Sequence, residues 1–183
     1  MKLYELINHI DTFAPFALAE DWDNSGLMVG NFDAEISRIG ICLDAVADAV
    51  ISAHEKGCNV LLCHHPLIFR PLKKIDFATE TGAVIFEAIT RRVNIIAAHT
   101  NWDSAEEGVN FSLASLLGLQ NVEKLSGFGV VGKISEEDTK NFLARVKSSW
   151  GLSLLEFFTR NTPEKISRVA LCGGSGAEFW RAA

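Results

Sequence analysis

Apolar residues recur with two different spacings along the chain, and the two spacings predict alternating helices and strands. Near the N-terminus they lie three or four positions apart, as in an amphipathic helix; these residues are Leu3, Leu6, Ile7, Ile10 and Phe13. The same spacing predicts helices over 45–57, 79–93 and 109–117. Short, mainly apolar runs predict buried strands over 37–45, 60–63 and 94–100. A turn-rich loop over 19–30 leads into another short strand.

The order of these elements predicts the fold class. Strands that alternate with helices form right-handed parallel crossovers. Residues 1–125 are therefore expected to form a layered α/β domain with parallel or mixed sheets. A second, smaller α/β unit is expected over 126–183, beyond a polar boundary at 121–126. Its predicted elements are a strand over 128–134, a helix over 135–151 with Ser135 as N-cap, and strands over 152–158 and 166–172.

The sequence at the end of the chain predicts a helix that is cut short. Residues 173–176 form a glycine-rich turn, which either presents backbone N–H groups to an anion or is only a tight turn. A helix should open after this turn and expose Phe179 and Trp180. A helix of two turns is marginal by itself. The second unit is therefore expected to be incomplete, as in a chain truncated at its C-terminus.

Composition narrows the class of protein. With 48% hydrophobic and 22% charged residues among 183, the chain is not a disordered protein. A net charge of −6 disfavours nucleic acid as a partner, and no apolar run approaches the ~20 residues of a membrane span. Four cysteines without C-x-x-C spacing predict reduced thiols and a cytoplasmic protein; these are Cys42, Cys58, Cys63 and Cys172.

Side chains with metal-binding chemistry follow the predicted strands. The carboxyl ends of parallel strands meet at one edge of a sheet. Adjacent residues within a strand point to opposite faces, but Pro66 ends the strand after His64 and His65, so both imidazoles can face one cavity. With the Asp103 carboxylate they form a set that suits zinc, manganese, iron, cobalt or nickel. The alternatives are one metal per histidine, with bridging carboxylates, and a hydrogen-bonded histidine pair under a loop.

Other polar residues near these strand ends have two interpretations each. Asp44 ends the first strand, where it either belongs to the site or caps the next helix. His99 is a metal ligand, a catalytic group or a residue that orients Asp103. Glu106 either transfers protons or interacts favourably, as a negative charge, with the dipole of the following helix. The acidic and aromatic loop over 20–24 lines a pocket or forms a capped turn.

Four segments together resemble a known family. In order they are AEDWDNSGL at 19–27, CHHPLIF at 63–69, AHTNWD at 98–103 and LCGGSG at 171–176. They resemble the dinuclear-metal family of GTP cyclohydrolase I type 2-like proteins, also described as the NGG-interacting-factor-three-like family. The resemblance implies an α/β fold and two divalent transition metal ions, with zinc, iron, manganese and nickel as candidates. It implies that His64 binds one ion, His65 the other, and Asp103 completes the first.

The resemblance also implies a function and an assembly. It suggests a metal-dependent hydrolase acting on a small molecule such as a nucleotide, with His99 or Glu106 managing protons. It implies a homohexameric ring built from dimers. A non-enzymatic, metal-binding or regulatory ring is the alternative. The family also supplies a late histidine and glutamate spaced H-x-x-x-E, which this sequence does not contain. Without them His64 and His65 have few protein partners for a dinuclear site.

Overall fold

Two sheets organise the chain, one in each of two compact units. The structure is a computed structural model that describes residues 1–125, 127–158, 160–176, 179 and 181–182. The first unit spans Met1–Ala105 and the second spans Glu106–Ala183. No helix in these described ranges is long and apolar enough to cross a membrane.

The first unit contains a four-stranded mixed sheet in the order β1-β4-β3-β2. Its strands are β1 (Gly26–Val29), β2 (Ile39–Cys42), β3 (Val60–Cys63) and β4 (Asn94–Ala97). Strands β2, β3 and β4 are parallel, whereas β1 runs antiparallel to β4. The three parallel strands therefore end at the same edge, as the alternation of strands and helices predicts.

Helices cover this sheet. They are α1 (Leu3–Phe13), a 3-10 turn (Phe16–Leu18), α2 (Ala47–Glu55), α3 (Glu80–Arg91) and the short α4 (Thr100–Ser104). Helix α3 begins where the Thr79 hydroxyl accepts a hydrogen bond from the Gly82 N–H at 3.1 Å. It ends where Arg92 adopts a left-handed conformation with φ of 56°. The predicted helices at 3–13, 45–57 and 79–93 are confirmed, with ends displaced by a few residues.

The core of the first unit lies on both faces of the sheet. Val60 and Ile96 pack on one face with the apolar side of α1. Leu61 and Ile95 pack on the other face with α2 and α3. Because neighbouring strand residues point to opposite faces, a sheet covered on both sides requires continuous apolar runs. This explains the patterns at 60–63 and 94–97.

The second unit contains an antiparallel sheet in the order β5-β6-β7. Its elements are α5 (Val109–Leu116), β5 (Gln120–Lys124), β6 (Val130–Asp138), α6 (Thr139–Ser149) and β7 (Lys165–Leu171). Its core contains Ala114, Leu117, Leu119, Val130, Phe142 and Val146. Since α5 contributes to this core, the compact units divide between Ala105 and Glu106. The domain boundary that the sequence places after residue 125 stays a prediction.

Several predicted elements of the second unit are wrong. Strand β6 continues through Ser135, the predicted N-cap, because Glu137 and Asp138 pair with β7; α6 therefore begins at Thr139. Residues 152–158, all of them described, form no strand. The predicted polar boundary at 121–126 overlaps strand β5, which the sequence pattern does not predict.

The predicted helix at the end of the chain falls largely on residues outside those described, including Trp180. Phe179 is described, and it is half-buried rather than exposed. Its ring packs edge-on against that of Phe128, with centroids 5.2 Å apart. The expectation that Phe179 is exposed is therefore wrong.

Candidate metal centre

The adjacent histidines lie where the backbone bends away from β3. The backbone N–H groups of His64 and His65 both donate to the Leu43 carbonyl, at 3.1 and 3.0 Å. This shared acceptor breaks the regular strand geometry, and the two ring centroids lie only 4.9 Å apart. Both imidazoles therefore reach one site, as Pro66 suggests.

His99 joins this pair from the end of β4. Its ring centroid lies 5.2 Å from that of His64 and 5.6 Å from that of His65. One nitrogen from each of the three rings can be chosen so that all lie within 4.8 Å of one another. His64 and His99 are half-buried, whereas His65 is exposed. The cluster thus faces solvent on one side.

All three imidazoles are held through the same ring nitrogen, Nδ1. The partners are the Ala98 carbonyl for His64 (2.9 Å), Asp44 for His65 (2.7 Å) and Asp23 for His99 (2.7 Å). A carbonyl or an ionised carboxylate only accepts hydrogen bonds, so Nδ1 carries the proton in each ring. In a neutral imidazole this leaves the Nε2 lone pair available. Metal-binding histidines are commonly oriented in this way.

Asp103 faces the histidine cluster from α4. Its Oδ1 lies 3.7 Å from Nε2 of His64, which is too long for a hydrogen bond. Two ligands bound to one ion at about 2.1 Å each lie at most about 4.2 Å apart. The separation between His64 and Asp103 therefore suits two ligands of a single ion.

Burial affects His64 and Asp103 in opposite directions. It lowers the pKa of His64, which favours the neutral ring that a metal requires. It raises the pKa of Asp103, which disfavours the carboxylate. A bound cation would reverse this second effect, because its positive charge stabilises the ionised form. The donor set of imidazole nitrogen and carboxylate oxygen fits a divalent transition metal.

Asp23 is the most heavily hydrogen-bonded group at the site. Its side chain is fully buried, and it accepts from His99, Asn24, Ser25 and Thr100. Burial alone would raise the pKa of Asp23, but these hydrogen bonds outweigh it and lower the pKa to about 2. Asp23 is therefore ionised in the folded protein and fixes the orientation of His99.

The structure separates the other candidates. Asp44 does not cap α2, whose N-cap is Val46; its carboxylate instead binds His65. Asp23 is the carboxylate bonded to Nδ1 of the His99 ring. Glu106 is exposed at the start of the second unit, and its role in proton transfer stays a prediction.

The sequence did not reveal Asp23 as a partner of His99. The two residues lie 76 positions apart, and Asp23 belongs to a loop without hydrophobic periodicity. The acidic and aromatic composition of residues 20–24 was the available signal. The interpretation of this loop as the lining of a site agrees with its contacts.

The fold and these contacts define an α/β protein with a candidate metal centre at the carboxyl ends of parallel strands. The family model for Duf34/NIF3 (NGG1p interacting factor 3) matches residues 1–183, and the chain belongs to this family.

The GTP cyclohydrolase 1 type 2 homolog of Clostridium acetobutylicum is 35% identical over 193 aligned residues, covering 100% of this chain and 72% of that protein. The protein of the same name from Lactococcus lactis is 33% identical over 185 residues, covering 98% and 72%. The crystal structure of the Staphylococcus aureus hypothetical protein SA1388 superposes with a TM-score of 0.88 at 29% identity, covering 98% of this chain and 74% of that chain.

Proposed function

We propose that this protein binds two divalent transition metal ions at the histidine cluster and acts as a metal-dependent hydrolase of the GTP cyclohydrolase type. The observation that carries the proposal is the common fixation of His64, His65 and His99 through Nδ1. The alternative was a hydrogen-bonded histidine pair under a loop. It does not explain why each of the three histidine rings donates from Nδ1 to its own oxygen acceptor. Clustered rings that are fixed at Nδ1, with the Nε2 lone pair left available, are what a metal site requires.

Each residue has a distinct task in this proposal. His64 and Asp103 hold one ion, and His65, oriented by Asp44, holds the other. Bound divalent ions of this kind act as Lewis acids and supply activated water at neutral pH. His99 moves a proton at Nε2, because Asp23 accepts a hydrogen bond from Nδ1 and holds the ring in place. The role of Glu106 as a second acid or base belongs to the same proposal.

The substrate and setting are also part of the proposal. The name shared by the two bacterial relatives makes GTP the first substrate to test. The free thiols of Cys42, Cys58 and Cys63 support a reducing, cytoplasmic setting. A homohexameric ring, in which a neighbouring copy could add metal ligands, is proposed from the family resemblance.

Elemental analysis and GTP turnover test the proposal. The wild-type protein should bind about two transition metal ions per chain, and His64→Ala should lose at least one. His54→Ala is a matched control, since His54 is exposed on α2 and outside the histidine cluster. Metal binding without release of a GTP-derived product would favour the non-enzymatic, metal-binding or regulatory protein. Equal metal content in wild type and His64→Ala would contradict the ligand assignment.

A further inference from the structure

Two exposed aromatic rings stand beside the histidine cluster. Trp22 is 51% exposed and Phe69 is 44% exposed. Their centroids lie 5.9 Å apart, and each lies within 6.4 Å of the His99 ring. Large apolar side chains left open beside polar, chemically competent groups are typical of ligand sites.

Hydrogen bonds hold the two loops that carry these rings. Trp22 precedes Asp23, which is bonded to His99 and Thr100. The loop that carries Phe69 is joined to the Trp22 loop by a hydrogen bond from the Asn24 side chain to the carbonyl of residue 68. The two loops are therefore held together before any ligand arrives and the rings are in contact with each other, which reduces the ordering cost of binding.

We infer that Trp22 and Phe69 form a stacking wall for the planar base of a nucleotide substrate. The two rings pack against each other at a tilt of 60°, so a planar base stacks on the exposed face of one ring and contacts the other ring edge-on. Aromatic faces bind planar heterocycles in this way. One edge of a base held there lies beside the histidine cluster. The inference rests on the proposed function, since it concerns the substrate of the same site.

The charge of the adjacent loop matches the rest of such a ligand. Arg70 follows Phe69 directly, and Lys73 and Lys74 lie a few residues further on. All three are exposed, in a protein whose net charge is −6. Lys74 pairs with Asp76 at 3.5 Å, so Arg70 and Lys73 supply most of the local positive charge. A locally cationic loop next to an aromatic wall is complementary to a molecule with a planar ring and anionic phosphates. This combination distinguishes a nucleotide from an uncharged apolar ligand.

Calorimetric titration with guanosine and with GTP tests the wall. Guanosine lacks phosphates, so its binding reports the base alone. Trp22→Ala and Phe69→Ala should each bind guanosine roughly 5- to 150-fold more weakly than wild type, the loss that follows removal of a stacking partner. Trp22→Phe should recover most of this affinity. Phe32→Ala is the control and should bind guanosine as wild type does. Phe32 is about as exposed as Trp22, but it follows the C-terminal end of β1, whereas Trp22 precedes the N-terminal end of that strand.

A separate substitution tests whether the cationic loop contacts the phosphates. Arg70→Ala should weaken GTP roughly twofold to fivefold, as loss of an exposed charge does, and leave guanosine unchanged. Undiminished guanosine affinity in both Trp22→Ala and Phe69→Ala, or no guanosine binding by wild type, would overturn the inference. Elemental analysis of the same samples separates this failure from failure of the proposed function. If wild type retains metal but does not bind guanosine, only the inference about Trp22 and Phe69 is contradicted. If wild type contains no metal, the proposed metal site is contradicted.

Discussion

Replacing Asp23 by Asn should weaken the loop that holds His99. Both carboxylate oxygens of Asp23 accept hydrogen bonds, one from His99 and Asn24 and the other from Ser25 and Thr100. Asn keeps one of these acceptors but places an amide N–H₂ group where the other stood. Two donors would then face each other in a buried position, which is costly.

The pKa of Asp23 gives the size of the effect. It falls from an ordinary value of 3.8 to about 2 in the folded protein. Each pH unit corresponds to about 1.36 kcal/mol, so the ionised form contributes about 2 kcal/mol to the free energy of unfolding. Because the folded-state pKa is the lower one, this contribution is complete well above pH 4. It is lost as the pH falls through 4 toward 2.

Urea unfolding followed by circular dichroism measures this contribution. With metal removed by chelation, Asp23→Asn should be about 2 kcal/mol less stable than wild type at pH 7, and the gap should shrink to about half at pH 3. Asp21→Asn should stay within about 0.5 kcal/mol of wild type, because Asp21 is an exposed neighbour in the same loop. A gap below 0.5 kcal/mol at pH 7, or one that does not change with pH, would refute the reasoning; this threshold is about a quarter of the predicted effect.

Three further substitutions test the orienting contacts and the two cores. Asp44→Asn should lower metal affinity about 10- to 100-fold in chelator competition, and it should change stability little because the ion pair of Asp44 with His65 is exposed. The control is Asp48→Asn, and unchanged metal affinity in Asp44→Asn would contradict the orienting role of Asp44. Ile95→Ala should lower the free energy of unfolding by about 2–5 kcal/mol in urea, since Ile95 is fully buried; a loss below about 1 kcal/mol would argue against that packing. Asn110→Ala should cost about 1–3 kcal/mol in thermal or urea unfolding, because buried Asn110 donates to the Phe128 carbonyl at 2.7 Å; wild-type stability would show that this bond is dispensable.

The first unit could be predicted from the sequence because its sheet is covered on both faces. Continuous apolar runs such as 60–63 are hard to mistake, and helices between them imply parallel strands. Pro66 then indicated how His64 and His65 could reach one site, and their ring contact agrees with that reasoning. The strands, the helices and the position of the histidine pair could therefore be predicted from short stretches of sequence.

The second unit was less predictable because its strands depend on distant partners. Strand β5 is polar and largely exposed, so it shows no hydrophobic pattern. Ser135 has the residue type of a helix N-cap, but pairing between β6 and β7 keeps the chain extended beyond it. The bond between Asp23 and His99 also joins distant segments, which periodicity cannot reveal.

A crystal structure of the protein soaked with zinc, with anomalous data collected at the zinc absorption edge, tests the metal assignment most directly. The account predicts an anomalous peak about 2.1 Å from Nε2 of His64 and from an oxygen of Asp103, with a second peak at Nε2 of His65. The Nδ1 contacts of the two histidines with Ala98 and Asp44 should persist. Full zinc occupancy elsewhere, with no peak between His64 and Asp103, would contradict it.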